Sequence, residues 1–324
     1  MADPHPHAHR KSETLPTASV VIPCKGTPES LRTLLADLNA QKLEDLFEII
    51  VVDAWSDDDI RQEAEAAGAR VVRRGTGNLP GQARNLGAAG AAGEIVAFVD
   101  ADCRVDPDWL PSAIKALDNG ARLVAGPVED VDPWHLVASA DNLLQFADLP
   151  RNRPAGRMHM APSCNLAIGK ADFERLQGFR HAGGLATGED VDFCQRAIEI
   201  WPDGIWFCPG MSIRHSGRRK VTDMIRHHHA FGYSRGRLKL LLSERQTRLA
   251  SKAILAPAIV LRRLIYIFGR VIRLNPAKLP KTLLVSPFLI IGAVGWTAGF
   301  RRGLIESSVS RTDSDEATSP DLSL

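Results

Sequence analysis

From Ala18 to about Gly120 the chain alternates short runs of β-branched apolar residues with longer stretches whose apolar positions recur every three or four residues. Ala18 to Pro23 (ASVVIP) reads as a buried strand, and Pro28 to Gln41 as a helix with Leu31, Leu34, Leu35 and Leu38 on one face. Phe47 to Asp53 (FEIIVVD) is a second strand, followed by a helix from about Asp57 to Ala67. Arg70 to Arg73 is a short third strand. The next helix starts near Leu79 and ends at Gly93, a residue suited to a left-handed C-cap, and Ile95 to Val99 (IVAFV) is the fourth strand. Strands this apolar, separated by helices, predict βαβ units around a parallel sheet covered on both faces. Asp53 and the run Asp100 to Asp102 then fall at strand C-termini, the edge where open α/β sheets bind ligands.

Beyond this the pattern is less regular. It predicts a strand at Leu123 to Val128, a helix from Pro133 to about Asp148, an Arg-rich loop at Arg151 to Arg157 and a strand at Asn165 to Ile168. Gly188 opens a helix with Glu189, Asp190 and Asp192 in its first turn, where the helix dipole alone would favour acidic side chains. Ile205 to Phe207 and Met211 to Arg214 read as sheet segments before a basic helix, Lys220 to Leu242. Two apolar stretches follow. Ala253 to Ile272 is interrupted by Arg262 and Arg263, as suits an interfacial helix. Thr282 to Phe300 carries no charge, is flanked by Lys281, Arg301 and Arg302, and as a helix is about 28 Å long, enough to cross a bilayer. Pro287, Gly292, Gly295 and Gly299 within it suit equally a helix packed on the protein.

Composition is that of a globular chain: 324 residues, 44% hydrophobic and 24% charged. The net charge of +2 conceals an asymmetry, with 20 basic and 31 acidic residues up to Pro209 and 20 basic and 7 acidic after it. An acidic body with a basic tail argues against nucleic-acid binding and for a tail that meets phosphates or anionic lipid. Five scattered cysteines make neither a disulfide framework nor a CxxC metal site, and read as reduced thiols. The first residues, MADPHPHAHRKSETLP, lack the apolar run of roughly 7 to 15 residues of a secretory signal, so the expectation is a cytoplasmic catalytic domain.

The sharpest chemical feature is Phe98-Val99-Asp100-Ala101-Asp102, a buried strand running into two carboxylates one residue apart. A strand end holds such groups rigidly, and hard divalent cations take oxygen ligands of this kind, with a diphosphate able to supply the others. Capping of the following helix falls more naturally to Asp106. Two other motifs carry less. Neighbours in His227-His228-His229 diverge by about 100° on a helix and cannot converge on one ion, so a solvated basic helix is the expectation. Gly75 to Gly81 misses both phosphate-loop spacings and suggests a lip beside a ligand. Lys220, Arg226, Arg235, Arg237 and Lys239 suit lipid headgroups, an acceptor phosphate or solubility.

In order, SVVIP (Ser19 to Pro23), IIVVDAWSDD (Ile49 to Asp58), GQARNLGAAGAAGEIVAFVDAD (Gly81 to Asp102), GEDVDFCQR (Gly188 to Arg196) and IRHSG (Ile213 to Gly217) resemble the family 2 glycosyltransferases of the GT-A fold. The resemblance implies a Rossmann-like, mostly parallel sheet flanked by helices, and inverting transfer from a nucleotide-sugar. It implies a base pocket at Pro23 and Asp53, with Arg84 near the nucleotide phosphates and Asp100 at the ribose and the metal's shell. Asp102 would be the direct ligand of Mg²⁺ or Mn²⁺, with His215 a further metal or diphosphate contact. Of the acidic pair Glu189-Asp190, the Asp would deprotonate the acceptor hydroxyl. Cys24-Lys25-Gly26 and Ala54-Trp55 depart from the family's usual residues beside the base, so a UDP-sugar is the expectation and GDP stays open.

These readings divide the chain into an N-terminal tail (1–17), a catalytic domain (18–245), a basic and apolar membrane-associated helical segment (246–305) and a Ser/Thr/Asp-rich disordered tail (306–324). They place the enzyme on the cytoplasmic side of a membrane, acting on a hydroxyl acceptor of lipid-linked or cell-envelope type. The competing classes are an NAD(P)-dependent oxidoreductase, whose GxGxxG fingerprint is missing after the first strand, and an inactive membrane scaffold, against which Asp100, Asp102 and Asp190 argue.

Overall fold

The computed structural model describes residues 15–25, 27–53, 58–73, 79–180, 187–238 and 252–316. Its first half is laid down by the βαβ alternation: β1 (Ala18–Cys24), α1 (Pro28–Asn39), β2 (Phe47–Asp53), α2 (Asp58–Ala66), β3 (Arg70–Arg73), α3 (Pro80–Ala89) and β4 (Ile95–Val99). β1 pairs in parallel with both β2 and β4, and β2 with β3. A strand with a partner on each side and a helix over each face has no solvent side, which is why Val20, Val21 and Ile22 are all buried. α1 starts where Thr27 accepts a bond from the Ser30 amide and Pro28 pre-sets the first turn, and it buries the four predicted leucines.

The next elements are β5 (Cys103–Val105), α4 (Trp109–Asp118), β6 (Leu123–Ala125), β7 (Val128–Asp130), α5 (Leu136–Phe146), β8 (Gly156–Arg157), β9 (Asn165–Gly169) and α6 (Lys170–Arg175). They are followed by α7 (Glu189–Ile200), β10 (Ile205–Phe207), β11 (Ile213–His215) and α8 (Val221–Leu238). The main sheet has the order β3-β2-β1-β4-β9-β6-β10-β8, and a small sheet β5-β11-β7 stands beside it. β9 runs antiparallel to both neighbours, so its first residue, Asn165, lies opposite the last of β4, Val99. There the buried Asn165 amide accepts from Trp109 Nε1 at 2.8 Å and donates to the carbonyls of Met211 (3.0 Å) and Pro127 (3.2 Å), tying α4 and the chain entering the small sheet to the main one.

Three boundaries differ from the sequence expectation. The single strand expected at Leu123 to Val128 is two strands in different sheets, broken at Gly126 because a Cβ there would lie 1.9 Å from the Met211 carbonyl oxygen. The helix before β4 ends at Ala89, and Gly93 is no left-handed cap. It is instead the place where the chain crosses β1, a Cβ there falling 2.6 Å from the Ala18 carbonyl carbon, while its amide donates to Ser19 Oγ at 2.9 Å. The terminal helix, finally, continues through the first part of the segment expected to be disordered. The N-terminal tail to residue 14, residues 74–78 of the glycine-rich lip, the turn at Ala54 to Asp57 and the end of the basic helix from Lys239 lie outside the described residues.

The C-terminal elements α9 (Ala256–Leu274), α10 (Leu279–Leu284) and α11 (Ser286–Glu316) pack on the catalytic body. Ile267 and Val271 of α9 and Leu289 and Ala293 of α11 share a second core with Ala140 and Leu144 of α5 and Met224 of α8. α11 meets α8 through backbone: Gly299 and Gly303 lie against the His229 and Tyr233 carbonyls, while Gly232 and Gly236 lie against those of Trp296 and Phe300. Each glycine's missing Cβ is what allows that approach. None of the five cysteines is in a disulfide bond.

Gly93→Ala should therefore destabilise the fold by about 1 to 3 kcal/mol through overpacking against β1. Gly90→Ala should be neutral or slightly stabilising, because Gly90 has an ordinary φ of −89° and meets only the flexible Arg70 head. Urea denaturation of the two variants separates these outcomes; a Gly93→Ala variant as stable as the wild type would overturn the close approach to β1.

Candidate functional site

The carboxylates gather at the C-terminal edge of β4 because that strand stops and its chain turns at once into the small sheet. β5 pairs with β11 so that Cys103 lies opposite His215, and the preceding Asp102 is thereby brought to the histidine: Oδ2 and Nε2 are 3.7 Å apart. Ser216 Oγ donates to the Asp102 carbonyl at 2.8 Å, fixing the turn. His215 itself is buried, whereas the Asp102 carboxylate is 43% exposed and open to a ligand.

The orientation of His215 is set from α5. Asn142 donates from Nδ2 to Asp130 Oδ1 at 2.9 Å and to the His215 carbonyl at 3.0 Å, so its remaining oxygen is the acceptor that faces His215 Nδ1 at 2.7 Å. That contact assigns the ring proton to Nδ1 over the longer approach of the Gly217 amide at 3.2 Å, and leaves the Nε2 lone pair turned toward Asp102. Asp130 is held in turn by Ser139 Oγ at 3.0 Å and by Lys281 Nζ at 2.7 Å. The signal in the sequence is the pair Asp141-Asn142 in the middle of an otherwise apolar helix face, polar residues that burial forces into partnership.

On the other side of the edge stands Arg84. α3 sits close enough to the sheet to place it there because Gly87 lies on Val21, with 2.4 Å between its would-be Cβ and Cγ1. The guanidinium, 3% exposed, donates from Nη1 to Glu189 Oε1 at 2.9 Å and from Nη2 to Asp100 Oδ1 at 2.5 Å. Burial disfavours its charge, but the two carboxylates outweigh this and hold its pKa above the ordinary value. The side chain expected beside the nucleotide phosphates thus has both terminal nitrogens committed to carboxylates.

Glu189 and Asp190 open α7 from Gly188, which adopts φ +96°, a left-handed conformation that glycine takes without strain. Burial pushes both carboxyl groups above their usual pKa; the charge of Asp190 raises Glu189 further, while Arg235 and Arg84 pull Asp190 back down. Arg235 comes from α8, and its own pKa is lowered by burial. The basic helix is therefore not wholly solvated. Arg235 faces Asp190, and Thr187 Oγ1 donates to Ser234 Oγ at 2.8 Å. His228 is completely buried, with Nε2 2.9 Å from Asp141 Oδ1, and burial brings His227 down to about 3. Lys220 and Arg226 do lie in solvent.

Pro23 and Asp53 end β1 and β2, so a whole strand separates Asp53 from β4. Asp53 is buried, stands beside Cys24 and Arg73 in the sheet register, and has its Oδ2 4.0 Å from Arg73 Nε. The structure thus joins Arg84 to Asp100 and Glu189, and brings Asp102 to His215. Asp190 adjoins the first group, and Pro23 and Asp53 form a separate end of the same edge.

Residues 19–176 match the sequence profile of the family described as glycosyl transferase family 2. That stretch, just under half of the chain, is a domain of the family. Among its relatives is mouse polypeptide N-acetylgalactosaminyltransferase 10, 31% identical over 137 residues that make 39% of this chain and 23% of the relative. The chain therefore spans about a quarter of that enzyme's length. Its fold is that of a Pyrobaculum calidifontis mannosyltransferase solved with GDP-Man and Mn²⁺ (TM-score 0.52, 17% identity, 93% of this chain and 88% of that one). GalNAc-T7 solved with UDP, GalNAc and Mn²⁺ shares it as well (TM-score 0.51, 16% identity, 68% and 48%). These likenesses establish the GT-A architecture, a mixed α/β sheet flanked by helices. The family assignment sets aside the dinucleotide-dependent oxidoreductase.

Arg84→Met leaves Asp100 and Glu189 without their shared cation and should cost about 3 kcal/mol of stability. Arg84→Lys should recover only part of this, because a single ammonium cannot fork between two carboxylates. Equal stability of the Lys variant and the wild type in urea would overturn the bridging role.

Proposed function

We propose that the chain transfers a sugar from a nucleoside-diphosphate sugar to a hydroxyl acceptor, with inversion at the anomeric carbon, using a divalent cation held by Asp102 and His215. The observation that carries this reading is the convergence at one sheet edge of an exposed carboxylate facing a histidine lone pair and, beside it, two carboxylates with raised pKa values. Among the described residues no three His, Cys, Asp or Glu side chains form a closed cage. A hard cation with two protein ligands and the rest from a diphosphate fits what Asp102 and His215 offer. When bound, Mg²⁺ or Mn²⁺ would offset the negative charge that develops on the departing diphosphate.

The chain's own residues do the remaining work. Asp190 takes the acceptor's proton: its carboxyl is displaced upward, toward the range in which a base is both free and strong enough at neutral pH. Glu189 is the weaker candidate, because Arg84 already holds it. Asp100, anchored through one oxygen, keeps the other for the ribose or the cation's shell. Pro23 and Asp53 border the base. A UDP-sugar is the favoured donor, in keeping with the UDP held by GalNAc-T7, and the GDP-Man held by the Pyrobaculum enzyme keeps GDP in the test. Residues 18–245 form the catalytic unit and 246–305 attach it to the cytoplasmic face of a membrane, where the acceptor is lipid-linked or an envelope component; nucleic acid is not a partner. Ser286–Glu306 is, among the described residues, the one helix long and apolar enough to cross a bilayer.

Incubation with UDP-, GDP- and dTDP-sugars plus Mn²⁺ should release nucleoside diphosphate. Asp102→Asn should lower that turnover by at least about a thousandfold with the melting temperature retained. Full activity in this variant, or in excess EDTA, would remove the metal role.

The pH profile tests the base. A base must be unprotonated to act, so kcat/KM should rise with pH through the raised Asp190 pKa, with its acidic limb above the ordinary Asp range. Arg235→Met removes a cation that lowers this pKa and should move the limb to higher pH; a limb that stays put, or survives in Asp190→Asn, assigns the base elsewhere.

A further inference from the structure

The helix that is long enough to span a membrane has one side committed to the catalytic body and the other side bare. On α11, Gly299 and Gly303 are closed against α8 backbone, and Leu289 and Ala293 are buried toward α5. Ile290 and Val294 point outward, 46% and 51% exposed. α9 divides in the same way. Ile267 and Val271 are buried on α5, while Leu261 (58%), Ile265 (63%) and Ile272 (56%) form an exposed row at helical spacing. Leu284 of α10, 62% exposed, lies in the connection between them. Both helices bury their inner faces in one core, so the bare rows look outward on the same side of the protein.

Charge is distributed to match. Of the two arginines that interrupt the first apolar stretch, Arg263 turns inward over the Trp296 ring at 4.2 Å and donates to the Leu144 carbonyl at 3.2 Å. Arg262 turns outward beside Leu261, and Arg273 likewise beside Ile272. Lys281, which reads in the sequence as a membrane flank, is paired with Asp130, and Lys278 with Glu129. The cations left at the surface thus border the apolar row of α9, while those near the body bind it to the catalytic domain.

We infer that this chain docks in the plane of an anionic bilayer through the outer faces of α9, α10 and α11, and that α11 does not cross it. A crossing α11 would carry α8 with it through the glycine contact, and α8 bears Asp223, Arg226, Arg235 and His228, the last buried against Asp141 of α5, none of which belongs in hydrocarbon. An in-plane helix needs only its outer side immersed by about 5 to 10 Å, with basic residues at the headgroups. A second copy of the chain would meet Arg262 and Arg273 with their like, whereas an anionic surface complements them. A single layer of helix, α5 or α8, then stands between this face and the site, since Asn142 on α5 touches His215 while Leu144 packs toward α9 and α11, and α8 carries Arg235 toward Asp190 with α11 on its other side. The acceptor of the proposed transfer would lie within roughly one helix diameter of the headgroups. The inference deepens the membrane part of the proposed function.

The test uses the full-length protein, because α9 to α11 complete a core with α5 and truncation would open it. Sedimentation with vesicles of phosphatidylcholine containing one-third phosphatidylglycerol should bring the protein down, and vesicles of phosphatidylcholine alone should bind it at least about tenfold more weakly. Leu261→Glu with Ile265→Glu should abolish binding to both at an unchanged melting temperature. Arg262→Glu with Arg273→Glu should remove only the preference for anionic lipid. In membrane vesicles from expressing cells, single cysteines placed by Pro280→Cys and Arg302→Cys should react with an impermeant maleimide from the same face, above the wild-type blank. Labelling from opposite faces would show that α11 spans and overturn the inference. So would a wild-type protein that ignores both vesicles and dimerises on dilution-sensitive size exclusion. Vesicle binding without any nucleotide-sugar turnover would leave this inference standing and remove the transferase reading instead.

Discussion

The site depends on one buried guanidinium. Arg84 reaches Asp100 at the end of β4 and Glu189 at the start of α7, segments far apart along the chain, and without it two carboxylates would face each other in a poorly solvated space. Burial drives Glu189 and Asp190 upward in pKa, and the charge of Asp190 raises Glu189 further, so the cation of Arg84 offsets a repulsion built into the edge. The arrangement separates the duties of similar groups. One oxygen of Asp100 and one of Glu189 are spent on structure, while Asp102, two residues beyond Asp100, and Asp190, the residue after Glu189, stay available for chemistry.

A second set of contacts connects this edge to the C-terminal helices. From Lys281 the chain of hydrogen bonds passes through Asp130 and Asn142 to His215, and on the opposite side α11 presses on α8, which carries Arg235 to Asp190 and Ser234 to Thr187. The segment that meets the membrane in the present reading is thus part of the scaffold that orients both candidate functional groups. Its packing is of an unusual kind for an apolar helix. Glycines bring two backbones together, and the larger side chains are left to the outside, where a hydrocarbon surface rather than a protein core is the natural neighbour.

Much of this was legible in the order of residues. The first four strands and their helices follow from local periodicity, because each strand holds a continuous run of β-branched or other apolar residues and each helix shows its buried face every third or fourth residue. Asp100, Asp102, Glu189, Asp190 and His215 stand out by motif. Boundaries failed where the reason for them lay elsewhere in the chain. Gly93 ends no helix but makes room for β1, and Gly126 splits a strand because Met211 passes against it.

The sequence by itself determined the strand and helix pattern, the edge to which the carboxylates are delivered and the family that such an arrangement belongs to, since these depend on side-chain chemistry within short windows. Tertiary structure alone decided which charges are neutralised and which are free. Arg84 reads in the sequence as a phosphate contact and Arg235 as one of several cations on a basic helix, yet burial beside carboxylates makes one a bridge and places the other where it lowers the pKa of Asp190. It likewise decided that the most apolar helix has only one bare side. Hydropathy counts residues without direction, and only the packing of α11 on α8 shows which of them still face outward.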